Sequence, residues 1–178
     1  MAESLQMAPG APPTAKVQKR ASSKREREKE PFAPEGADSA AHGAPPPSVG
    51  GNRSILVVDD HPVVLKAFEL KLKANGFAVT TSSNPATVAT VAQQSKAELI
   101  ILDIHFHGGS GVEWTGFTVM QWLRRFPDLA KIPVILITGG EAAKYKDKAL
   151  AEGAAAFFEK PVNYQDLLAT MLTLLSRV

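Results

Sequence analysis

Three carboxylates, a hydroxyl and an ammonium stand out because each closes a short apolar run. Asp59 and Asp60 follow Ser54 to Val58, Asp103 follows Glu98 to Leu102, Thr138 follows Ile132 to Ile137, and Lys160 follows Ala155 to Phe158. Clustered carboxylates repel one another unless a cation intervenes. A hard divalent ion such as Mg²⁺, held by one or two carboxylates with waters and phosphate oxygens, relieves that repulsion. A carboxylate beside such an ion can attack a phosphoryl group and become an acyl phosphate. Lys160 and the metal would neutralise the developing charge, and Thr138 could donate to a phosphate oxygen. Taken singly each residue has a plainer role: Asp59 or Asp60 as a helix cap, Thr138 as a strand end, Lys160 as a solvated charge. In this order, at four strand ends, coincidence is the weaker explanation.

The elements that must position these residues are legible from hydrophobic pattern. Runs as short and apolar as Glu98 to Leu102 read as strands buried on both faces of a parallel sheet. Between them lie amphipathic segments. Pro62 opens the first helix, with Val64, Leu65, Phe68 and Leu72 at helical spacing and Asn75-Gly76 as its stop. Phe77 to Thr81 reads as a second, more exposed strand, and Asn84-Pro85 opens a helix through about Ser95. Gly116 to Phe126, Glu141 to Glu152 and a helix capped by Asn163 complete the pattern. Five βα units predict an α/β, doubly wound five-stranded parallel sheet, flavodoxin-like, with helices on both faces. In that strand order the first and third strands are neighbours at the switch point, where ligands bind beyond the strand ends.

Residues 1–52 differ in composition, being rich in Ala, Gly, Ser and Pro and poor in large apolar side chains, and are expected to be a disordered tail preceding a folded domain at 53–178. Within the tail, Lys16, Lys19, Arg20, Lys24 and Arg25 carry five positive charges with no intervening acid. Weak electrostatic contact with nucleic acid, an anionic membrane surface or an acidic partner is one reading of that run, and a solvated charge run is the simpler one. Across the chain, 20 basic residues face 18 acidic ones, a formal charge of +2, which gives no case for a dedicated nucleic-acid binder. With no cysteine, disulfides and thiolate metal sites are excluded. No apolar stretch approaches the ~20 residues of a membrane span, and no apolar signal-peptide region opens the chain. A cytoplasmic protein is expected.

Over 53–178 the sequence resembles the receiver domain of two-component response regulators. The resemblance rests on Val57-Val58-Asp59-Asp60-His61-Pro62, Ile100-Ile101-Leu102-Asp103, Ile135-Leu136-Ile137-Thr138-Gly139 and Glu159-Lys160-Pro161, in that order. It implies phosphoryl acceptance on Asp103 from a sensor histidine kinase or a histidine phosphotransfer protein. It further implies Mg²⁺ held by Asp60, Asp103 and the backbone carbonyl of His105, with Asp59 acting mainly through a metal-bound water. Thr138 and Lys160 would contact the phosphoryl group, Lys160-Pro161 would be cis, and Phe157 would be the aromatic that moves inward as Thr138 closes. No enzymatic activity is expected beyond self-catalysed phosphoryl acceptance and loss.

The resemblance breaks after Asp103, where the run to Gly116 is several residues longer than usual and His107 stands where proline is common. His105 and His107 are read as loop histidines rather than metal ligands, because Gly108-Gly109 argues against an extended loop that would align them. The longer loop is expected to affect phosphoryl lifetime and access to Asp103. Three functional readings follow: a response regulator signalling through protein contact, with no DNA-binding domain expected and a monomer or phosphorylation-dependent dimer as its state; a phosphorelay intermediate or phosphate sink; or a tail-mediated nucleic-acid or membrane binder regulated by the receiver.

Overall fold

The computed structural model describes residues 49–107 and 114–176. The tail expectation therefore falls almost wholly outside the described residues, as does the middle of the long loop. Element order is β1 (Ser54–Val58), α1 (Pro62–Ala74), β2 (Ala78–Ser82), a 3₁₀ turn (Pro85–Thr87), α2 (Val88–Gln94), β3 (Leu99–Asp103), α3 (Gly116–Leu123), β4 (Val134–Thr138), α4 (Ala142–Ala151), β5 (Ala156–Glu159) and α5 (Tyr164–Leu175). All strand pairs are parallel and the sheet order is β2-β1-β3-β4-β5. The expected doubly wound sheet is thus observed, with β1 beside β3.

Side-chain alternation along the strands divides the core in two. Ile55, Val57, Leu99, Ile101, Ile135 and Ile137 pack with Phe68 and Leu72 of α1 and with Leu167, Met171 and Leu175 of α5. Leu56, Val58, Ile100, Leu102, Val134 and Leu136 pack with α2, α3 and α4 through residues such as Val88, Met120, Leu123 and Ala149. Every residue of β3 and β4 is buried, which is why those segments read as continuous apolar runs instead of alternating ones.

Several element boundaries shift from the sequence reading, for local reasons. The second helix begins as a 3₁₀ turn, because Asn84 bonds the Ala86 N–H through its side chain and accepts from Thr87 N–H through its backbone carbonyl. The third ends at Leu123, three residues short of Phe126. Beyond it Arg125 and Phe126 N–H bond carbonyls only three residues back, those of Trp122 and Leu123, in tightened turns. Neither Asp59 nor Asp60 is the cap of α1: its N-cap is His61, which makes no side-chain cap bond. Asp59 instead accepts the His61 N–H on Oδ1 at 2.8 Å. Ordered backbone also starts ahead of Arg53, since Gly50 and Asn52 N–H donate to Asn75 and Gly76 carbonyls just beyond α1. Gly76 turns there with φ 83°, a conformation glycine adopts without cost.

Candidate functional site

The sheet's ladder bonds carry one step beyond three strands and so fix the backbone of the site. Asp59 N–H donates to Ser82 O, Ile104 N–H to Ile137 O, and Lys160 N–H to Thr138 O. Strand parity then decides which way each side chain faces. Asp59, Asp103 and Lys160 continue the parity of Val57, Ile101 and Phe158, on the α1/α5 side of the sheet. Thr138 and Phe157 continue the opposite parity, that of Leu136, facing the core beneath α4. Lys160-Pro161 is a cis peptide, in agreement with the resemblance.

On the first side, Lys160 Nζ bridges two strands, 2.6 Å from Asp59 Oδ2 and 2.9 Å from Asp103 Oδ1. Asp59 and Asp103 are buried, at 2% and 4% exposure. Burial pushes the Asp103 carboxyl above the usual carboxylate range, against the lowering effect of Lys160 and helped by the neighbouring Asp59 and Asp60. For Lys160, burial favours the neutral amine, but its bonds to Asp59 and Asp103 outweigh it and hold the ammonium above its ordinary value. Burial also works against ionised Asp60, and is overcome by the His107 N–H and the two nearby imidazoles, so its carboxyl lies low.

Ligand oxygens of Asp59, Asp60 and Asp103 all lie within 4.8 Å of one another. Three carboxylates against one ammonium leave the cluster net negative, and Asp60 Oδ1 is buried without a hydrogen-bond donor among the described residues. An all-oxygen donor set of this charge fits a hard divalent cation. An open cleft of ≈ 350 Å³ leads to it, lined by His61, Val64, Asp103, His105, His107, Gly139 and Lys160.

Thr138 is fully buried and its hydroxyl is engaged elsewhere, donating to Gly140 O at 2.7 Å. Phe157 is half-buried and packs against the α2–α4 core. The two residues expected to move together therefore share one face of adjacent strands, β4 and β5.

The long loop is pinned at its base. His105 and Thr115 form an antiparallel bridge, and Gly116 N–H donates to Ile104 O at 2.9 Å. A Cβ at Gly116 would lie 2.5 Å from Asp103 O, so the loop returns to the chain in contact with the proposed acceptor's own backbone. The histidines of this loop diverge. His105 Nε2 faces Tyr145 OH of α4 at 3.4 Å, while His107 turns to Asp60, donating its N–H to Oδ2 and placing Nδ1 3.2 Å from the same oxygen. They do not converge on Asp103. The sequence reading gave no role to His61, yet its Nδ1 lies 2.8 Å from Asp60 Oδ1 and 3.2 Å from Asp59 Oδ1. Its position directly after the Asp pair was the available signal.

The family model for the response regulator receiver domain matches residues 55–172. The response regulator PleD of Caulobacter vibrioides is 32% identical over 120 residues, covering 67% of this chain and 25% of PleD. The polar-differentiation response regulator DivK of Brucella anthropi is 25% identical over 119 residues, covering 67% of this chain and 93% of DivK. A solved response regulator from Desulfuromonas acetoxidans is 28% identical with a TM-score of 0.62, covering 71% of this chain and 98% of that one. The chain spans a quarter of PleD and half of the similar transcriptional regulatory protein GltR of Pseudomonas aeruginosa. No described helix is long and apolar enough to cross a membrane.

Proposed function

The chain belongs to the response regulator receiver domain family, and from that premise we propose that it accepts a phosphoryl group on Asp103 from a phosphohistidine of a partner kinase or phosphotransfer protein. The observation that carries this reading is the ammonium of Lys160 lying on the Asp103 carboxylate, where both line an open cleft, with two further acids close by. An Asp103 oxygen attacks phosphorus as the P–N bond breaks. The imidazole, protonated on its other ring nitrogen, leaves with the bond's electron pair as a neutral ring, and an acyl phosphate remains on Asp103. Lys160 stays charged throughout and neutralises the phosphoryl oxygens.

Asp60, Asp103 and the backbone carbonyl of His105 would hold Mg²⁺, with Asp59 acting mainly through a metal-bound water. The ion would supply the positive charge that lets ionised carboxylates and phosphoryl oxygens approach one another. Thr138 must give up Gly140 O before it can donate to the phosphoryl group. Phe157, on the same face, would fill the space that this movement opens. The outcome is a changed surface at α4, β5 and α5, read by a protein partner.

Intact mass after incubation with Mg²⁺ and a small phosphodonor tests the reading. Wild type should gain one phosphoryl group, and Asp103→Asn and protein stripped of divalent ions should gain none. Absence of an adduct in wild type, with a phosphohistidine donor also failing, would sink it.

A further inference from the structure

The cluster around Asp60 extends beyond what an all-oxygen cation site requires. His61 Nδ1 and His107 Nδ1 approach opposite oxygens of Asp60, at 2.8 and 3.2 Å, and the three ligand atoms lie within 4.8 Å of one another. The rings meet edge to face at a centroid separation of 5.5 Å. His61 Nδ1 is close to Asp60 Oδ1 but does not serve it as a hydrogen-bond donor, and that oxygen is left without one. Ligands 2.0–2.2 Å from a tetrahedral ion sit about 3.3–3.6 Å apart, so only small side-chain movements separate these atoms from a coordination shell. Two imidazoles with one carboxylate suit Zn²⁺, Ni²⁺ or Cu²⁺ far better than Mg²⁺.

We propose that Asp60, His61 and His107 form a Zn²⁺ site that shares Asp60 with the Mg²⁺ site. Because one carboxylate serves two ions, Zn²⁺ binding withdraws a ligand from the phosphoryl-acceptance site. It also ties the start of the long loop, through His107, to the end of β1. Zn²⁺ would then act as an inhibitor of phosphorylation. Binding stands independently of the phosphoryl reading, and only the inhibition rests on it.

The test titrates the full chain with Zn²⁺ in Mg²⁺-free buffer against a chromophoric chelator. The histidine side chains are 55% and 73% exposed, so His61→Ala and His107→Ala are expected to fold, as circular dichroism would verify. Each should weaken the tightest Zn²⁺ site at least about tenfold. Asp103→Asn removes a neighbouring charge but no proposed Zn²⁺ ligand, so it should weaken that affinity less than either histidine variant, and added Mg²⁺ should weaken it. In wild type, Zn²⁺ should slow adduct formation from a small phosphodonor, and the double histidine variant should resist. Wild-type affinity in both single variants, or loss in Asp103→Asn alone, overturns the site. Histidine-dependent binding without slowing overturns the inhibition. A wild type that binds Zn²⁺ yet never accepts phosphate contradicts the phosphoryl reading and leaves the Zn²⁺ site standing.

Discussion

Lys160 Nζ sits 2.9 Å from Asp103 Oδ1 and at the same time 2.6 Å from Asp59 Oδ2, so one cation from the end of β5 ties together acids from β3 and β1. Lys160→Met leaves two buried carboxylates without their partner. Removing one side of a buried pair is strongly destabilising. With Lys160 only partly buried, the expected loss is about 2–3 kcal/mol in divalent-free buffer, measured by denaturant unfolding, with partial recovery on adding Mg²⁺. The Lys160 ammonium is held above its ordinary 10.5. Its contribution is therefore fully present below the unfolded value and fades as pH rises through the folded one. The stability gap between wild type and Lys160→Met should hold at neutral pH and narrow above about pH 10.5.

Asp103 is shifted in the same upward direction, but for a carboxyl that shift disfavours the charged form. Burial raises its carboxyl above 3.8, so the folded state holds that proton more tightly than the unfolded chain does. Wild type must lose stability relative to Asp103→Asn as pH rises from about 4 through the folded value. Thermal unfolding without divalent ions should therefore find Asp103→Asn the more stable protein at pH 7, with the difference vanishing near pH 3. A less stable variant at pH 7 would mean that the Lys160 bond outweighs burial.

Gly116 bears on the same residue from behind. Alanine there favours a helix by about 1 kcal/mol, but its Cβ would meet Asp103 O at 2.5 Å and Ile104 Cα at 3.0 Å. Backbone atoms on both sides cannot yield cheaply, so the steric cost prevails. Gly116→Ala should destabilise by about 1–3 kcal/mol and slow phosphoryl acceptance by displacing Asp103. Gly139→Ala is the control for stability, because nothing lies within 4 Å of its added Cβ.

Thr138 donates a partly buried hydrogen bond to Gly140 O at 2.7 Å. Thr138→Ala should cost about 1 kcal/mol through that bond. It should also slow phosphoryl acceptance by roughly tenfold or more, because the hydroxyl that turns from Gly140 O to the phosphoryl group is gone. Thr138→Ser keeps the hydroxyl and should retain most of the rate. Stopped-flow kinetics with a small phosphodonor separates the two variants.

How much of this was written in the sequence depends on how each residue is held. Sheet order and the strand-end acids were legible because β3 and β4 are wholly buried and so wholly apolar until Asp103 and Thr138 interrupt them. Asn163 was legible as a cap, and it accepts from Gln165 and Asp166 N–H. The Thr138–Gly140 bond was not legible, because nothing in an Ile-Thr-Gly run says which way a hydroxyl turns. Nor was the split between His105 and His107. They are two apart, and the bridge from His105 to Thr115 sets one toward Tyr145 on α4 while the other reaches Asp60 across 47 residues of chain. That pairing is long-range and leaves no local pattern.

The most direct measurement locates the phosphoryl group itself. Borohydride reduction of the phosphorylated chain converts an aspartyl phosphate to homoserine, and peptide mass mapping then reads its position. Homoserine at 103, absent from the unphosphorylated control, is the predicted result. Homoserine at 59 or 60, or a phosphoryl group that resists borohydride on a hydroxyl or histidine, would contradict the assignment of Asp103 as the acceptor.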